Sequence, residues 1–171
     1  MLDHIESKLL IDQIVRTILS LMILFGTDLP LFVKIIFIFF FDILDEEIPF
    51  YMKTPQKYIP FYQYIDKISD TIIYIFLWIY FLKYEDTPET LKIYVSILFF
   101  YRLLGIILFL KDNNRSILMY FPNFFFETLF CISLLETFGY SYPEYKNLYI
   151  LIFFGVILFK MNIELWFHGG D

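Results

Sequence analysis

The sequence predicts an all-α protein, a polytopic membrane helical bundle of about six transmembrane helices forming one integral-membrane domain over residues 1–171. Three observations predict it. Of the 171 residues, 59% are hydrophobic and 23% aromatic, with a mean hydropathy of +0.65, above the apolar share of soluble domains. Six stretches reach the roughly 17–25 mostly apolar residues that a membrane-crossing helix needs. The ionisable residues inside those stretches also fall at similar depths, which scattered charges would not do.

The first helix is expected over about 8–26, ended by Gly26 and "TDLP". No small-residue cleavage site follows it and acids precede it, so a signal peptide is not expected. The second, about 30–48, ends near Pro49. The third runs from Asp66, or slightly before, to 84. The fourth covers 89–110, with Thr87 or Asp86 as cap and Pro88 in the first turn. The fifth, 115–138, is interrupted by Pro122, where a kink is expected with its freed backbone groups satisfied by neighbours. The sixth covers 145–167. Between the second and third, "PFYMKTPQKYIPFY" reads as the one long loop, its aromatic rings suited to the headgroup level. The other connections are short, so neighbouring helices are expected to pack antiparallel.

No alanine occurs anywhere in the chain. Close helix approach through small residues is therefore scarce, and packing must come from interlocked large side chains and polar contacts. The formal charge of −6 argues against a general affinity for nucleic acid or anionic lipid. The single cysteine, Cys131, offers neither a disulfide framework nor a cysteine metal site. His4 and His168 are terminal and carry little information.

Flanking lysines and arginines set the expected orientation. Lys8, Lys53, Lys57, Lys67, Lys111 and Arg115 fall on one side, against Lys34, Lys83, Lys92 and Lys146 on the other. This excess places both termini in the cytoplasm. At 1.5 Å per residue, Asp12, Arg16, Asp42, Asp45, Asp66, Asp70, Arg102, Asn123, Lys160 and Glu164 then share the inner half of the membrane, and Glu127 lies near the midplane. Lys34, near an outer helix end, is expected to snorkel. Asp12/Arg16 and Lys160/Glu164 are four apart and suited to pairing on one helix face. Such groups are costly in lipid unless they face each other or water. They either neutralise one another and bind the bundle together, or line a hydrated cavity.

"DILD" and "DKISD" carry the chemistry. Asp42/Asp45 and Asp66/Asp70 each share a helix face, and antiparallel packing of the two helices brings the four acids together. Like charges that close do not all stay ionised without a cation. Hard divalent ions, Mg²⁺ or Mn²⁺ with Ca²⁺ as a further candidate, prefer such oxygen ligands. Two ions would clamp a diphosphate, and a carboxylate outside the coordination sphere would serve as general base toward an alcohol. Arg102 is expected to pair with Glu127 or an aspartate, or to contact phosphate. "FPNFFFE" puts Asn123 and Glu127 on one face, as polar glue or as ligands. With Lys160, these are the candidate substrate-binding residues. A voltage sensor is not expected from "YRLLGIILFLKDNNR", where only Arg102 lies inside the helix.

The pattern Asp-x-x-Asp, loop, Asp-x-x-x-Asp on consecutive helices resembles the CDP-alcohol phosphatidyltransferases. The resemblance implies metal ligation by Asp42, Asp45 and Asp66, with Asp70 as base, in a reaction that replaces CMP on a CDP-linked lipid with an alcohol. The leading expectation is a metal-dependent phosphotransferase acting on a lipid-linked, CDP- or diphosphate-type substrate. The alternatives are an ion channel or ion/proton transporter using the same acids, and a non-catalytic membrane protein keeping the fold. Expected partners are membrane lipids and the lipid-linked substrate, not nucleic acid, with a homodimer left open.

Overall fold

The computed structural model describes residues 3–51, 54–83 and 87–168, apart from the side chains of 46–51 and 164–168. Lys53, Asp86 and the side chains of Glu164 and His168 thus lie outside the described residues. Those residues form seven α-helices and one 3-10 turn, with no strand among them. They cluster into two compact units, Met1–Leu29 with Val33–Leu77, and Pro30–Phe32 with Trp78–Asp171.

In the first unit, α1 spans His4–Gly26, four residues earlier than expected. Asp3 and Glu6 form a capping box: the Asp3 carboxylate accepts from the Ile5 and Glu6 amides, and Glu6 accepts from the Asp3 amide at 3.0 Å. That reciprocal cap satisfies amides that would otherwise be orphaned. The buried stripe of α1 is Leu9, Gln13, Arg16, Ser20 and Leu24. Its opposite face exposes Ile11, Val15, Ile18 and Met22. Polar residues inward with aliphatic residues outward is the reverse of a water-soluble helix.

Helix α2 spans Leu31–Tyr51 and passes through Pro49 rather than ending there. Proline has no N–H to give the carbonyl four residues back, which frees the Asp45 carbonyl. The Tyr62 hydroxyl donates to that oxygen at 3.2 Å, so the helix continues. Lys34 does not snorkel. It is 2% exposed, and its ammonium donates to the Leu24 carbonyl at 2.8 Å, capping the C-terminal end of α1. Helix α3 begins at Ile59 and runs to Leu82, after a 3-10 turn at Gln56–Tyr58. The expected long loop is mostly helical as a result, and Asp66 stands two turns inside α3 instead of at its start. Pro60 fits because it falls in the first turn, where no N–H is needed.

In the second unit, α4 spans Glu89–Asp112, close to expectation. Pro88 is its N-cap residue and no side chain caps it; Asn113, left-handed at φ 50°, ends it with its amide on the Phe109 carbonyl at 2.7 Å. The fifth predicted helix is broken rather than kinked, into α5 at Ile117–Tyr120 and α6 at Phe124–Thr137. The break at Pro122 is satisfied from α4. Tyr101 donates its hydroxyl to the Tyr120 carbonyl, and Arg102 donates to the Phe121 carbonyl at 2.6 Å. Helix α7 spans Lys146–His168. Helix α6 packs on both α4 and α7. Trp78 stacks on Phe99 at 4.8 Å, and Phe99 meets Phe125 edge-on at 5.4 Å, the large-residue packing that an alanine-free chain requires.

Three helical stretches, His4–Gly26, Glu89–Asp112 and Lys146–Ile163, are long and apolar enough to cross a membrane. Helices α2 and α3 carry the two aspartate pairs, Asp42/Asp45 and Asp66/Asp70.

Candidate functional site

The two acid pairs do meet, and a guanidinium lies among them. Arg16 reaches from the buried stripe of α1 toward α2 and α3. One of its terminal nitrogens, Nη1, lies 2.6 Å from Asp42 Oδ1, 3.1 Å from Asp66 Oδ1 and 3.5 Å from Asp45 Oδ2. The other, Nη2, donates to Asp70 Oδ1 at 2.8 Å. Arg16 is 4% exposed. Its ion pairs cross between helices, so the expected pairing with Asp12 on one helix face is corrected: among the described residues none joins Arg16 to Asp12. A planar cation with five donors suits such convergence on several carboxylates.

Neighbours complete the cluster. Lys67 bridges Asp66 Oδ2 at 2.7 Å and Asp70 Oδ2 at 2.8 Å. Asp45 Oδ2 accepts from the Gln13 side-chain amide and from the Tyr62 hydroxyl at 3.0 Å. Gln13, Tyr62 and Lys67 were not among the predicted site residues. Gln13 was legible all the same, since Gln13, Arg16 and Ser20 form a polar stripe at helical spacing on an otherwise apolar segment.

Four carboxylates face the two cations Arg16 and Lys67, so acids outnumber bases in the cluster. One carboxylate oxygen each from Asp42, Asp66 and Asp70 lies within 4.8 Å of the other two, a spread that a shared ion with ligands at about 2.0–2.6 Å can bridge. Asp45 Oδ1 is buried without a hydrogen-bond partner. The Asp42 side chain is 39% exposed and forms the open side of the cluster. These hard oxygens fit Mg²⁺ or Mn²⁺ in kind, but Arg16 now occupies the middle of the group.

The other predicted residues lie in the second unit. Arg102 binds the Phe121 carbonyl rather than Glu127. Glu127 pairs instead with Lys160 at 2.7 Å. Asn123 caps α6 by accepting from the Phe126 amide at 3.3 Å. The proposed Lys160/Glu164 pair falls on a side chain outside the described residues.

No family model, curated protein or solved structure matches the chain.

Proposed function

We propose that this is a multi-pass membrane protein in which α1, α2, α3, α4 and α7 cross the bilayer. The broken α5–α6 segment makes the sixth passage, and both termini are cytoplasmic. The polar-in, apolar-out face of α1 supports the membrane setting, and the lysine and arginine bias supports the orientation.

For activity, we propose a metal-dependent phosphotransferase acting on a lipid-linked phosphate or diphosphate. The observation that carries it is the convergence of Asp42, Asp66 and Asp70 oxygens from two helices within 4.8 Å. Asp42 and Asp66 would hold Mg²⁺ or Mn²⁺, with Asp45 as the further ligand that the resemblance implies, and the ion would supply charge neutralisation at the phosphate. Asp70 takes the proton of the acceptor alcohol as its oxygen bonds to phosphorus and the CMP or phosphate leaving group departs. Arg16, whose guanidinium lies among these carboxylates, would offer N–H groups to the phosphate. The resembled family has a glycine where this chain has Tyr62, and the Tyr62 hydroxyl is committed to Asp45. This favours a substrate without a nucleotide laid against that backbone.

Purified protein with CDP-diacylglycerol, Mn²⁺ and a panel of alcohols tests this by CMP release, and with a lipid diphosphate by phosphate release. Turnover abolished by Asp70→Asn is expected. No release of either product from any substrate overturns the reading.

Arg16 favours a second reading, an ion or proton transporter, because ionisable groups buried among membrane helices mark ion or proton pathways, and Arg16 sits among four carboxylates from two helices. Cation or proton flux into liposomes, abolished by Asp42→Asn, is its expected signature. Neither activity in a bundle that stays folded leaves a non-catalytic membrane protein.

A further inference from the structure

We propose that the slot between α4 and α7 binds one acyl chain of an anionic glycerophospholipid, with its phosphate at Lys146. The proposal rests on the membrane setting and not on the chemistry of the acid cluster, which lies in the other unit.

Helix α6 packs on both α4 and α7, and the slot lies between those two helices, with the Tyr94 and Phe153 ring centroids 5.6 Å apart. It encloses about 470 Å³. Leu91 and Leu98 form one wall, and Ile150 and Ile157 the other. Thr90 and Lys146, each in the first turn of its helix, mark a shared polar mouth. The two helices therefore run in the same direction from that mouth. From Lys146 to Ile157 the slot descends about 16 Å at 1.5 Å per residue, about half the hydrocarbon core. Its depth and apolar walls suit an extended hydrocarbon chain.

The mouth is suited to an anion. Lys146 is exposed and makes no ion pair among the described residues. The first turn of α7 holds no acid and Glu144 lies just before it, so the positive charge at the mouth is that of Lys146 itself. Glu89, at the start of α4, has Lys92 at 3.5 Å. Tyr142 packs edge-on against Tyr149 at 5.6 Å, and Tyr140 against Tyr145 at 5.2 Å. Rings of this kind collect at the headgroup level, which brings Lys146 to the depth of lipid phosphates. Position and charge together select a membrane phospholipid over a free phosphate.

The full chain, delipidated in detergent and titrated with phosphatidylglycerol or phosphatidylcholine of matched chains, tests this by native mass spectrometry. One phosphatidylglycerol per chain is expected, bound about fivefold or more tightly than phosphatidylcholine. Lys146→Glu removes that preference, while Ile150→Trp, which fills the slot, weakens both lipids. Equal affinity for the two lipids, a preference that survives Lys146→Glu, or displacement of the lipid by inorganic phosphate alone overturns the proposal.

Discussion

Arg16 Nη2 on α1 lies 2.8 Å from Asp70 Oδ1 on α3, across 54 residues of sequence. The same guanidinium also touches α2 at Asp42, so one buried side chain ties three helices together. Replacing it by a neutral residue leaves four facing carboxylates with Lys67 as their one remaining cation. Arg16→Met is expected to lower stability by about 3–5 kcal/mol, read as a fall in the unfolding midpoint in detergent. If the acids also hold a metal, Mn²⁺ raises the variant's midpoint more than the wild type's. An equal response in the two proteins sinks the metal reading.

Tyr62 serves Asp45 twice, at the backbone carbonyl and at the carboxylate. Tyr62→Phe removes the one hydroxyl donor that the two Asp45 oxygens share while keeping the ring, and a cost of about 1–3 kcal/mol is expected. Pro49→Ala in the same background restores an N–H for the Asp45 carbonyl and recovers part of the loss. A double-mutant cycle by denaturant unfolding measures the coupling; additive effects would show that Tyr62 does not support the helix at Pro49.

Gly105 on α4 lies under Phe121, whose Cβ and ring would collide with any added Cβ. The break at Pro122 depends on this close approach, because Phe121 also offers its carbonyl to Arg102. Gly105→Ala is expected to destabilise by about 1–3 kcal/mol through overpacking. Phe121→Gly combined with it removes both the Cβ and the ring from the contact, and thermal unfolding of the pair reports the recovery.

Asp3 accepts from the Tyr58 hydroxyl and caps α1, and these bonds hold its carboxyl below the usual carboxylate range. A folded value below the unfolded one means the stabilisation is complete above the ordinary carboxylate value. It is lost as pH falls through the lower folded value. Tyr58→Phe moves the Asp3 titration back upward, which carboxyl NMR of the labelled protein reads directly.

Most helix ends were legible because apolar run length, Gly26 and Pro88 punctuate the chain. The meeting of Asp42/Asp45 with Asp66/Asp70 was legible too, from spacing and antiparallel packing. Other features were read wrongly. Pro49 looked like a terminator because its rescue comes from Tyr62, thirteen positions on, and such a bond leaves no local trace. The start of α1 was signalled by the Asp3–Glu6 capping pattern but outweighed by its charges. Arg16 was assigned to Asp12 because helical spacing reveals neighbours on one helix, whereas its partners lie on two others.

The stripe of Gln13, Arg16 and Ser20 bears on biogenesis. A nascent chain entering a bilayer helix by helix delivers Arg16 well before Asp42 and Asp70, which follow 26 and 54 residues later. Until they emerge, the guanidinium faces a penalty of about 3 kcal/mol on insertion scales. On the multi-pass topology proposed above, the first hydrophobic segment therefore has reason to linger at the translocation machinery and to leave for lipid only together with the next two.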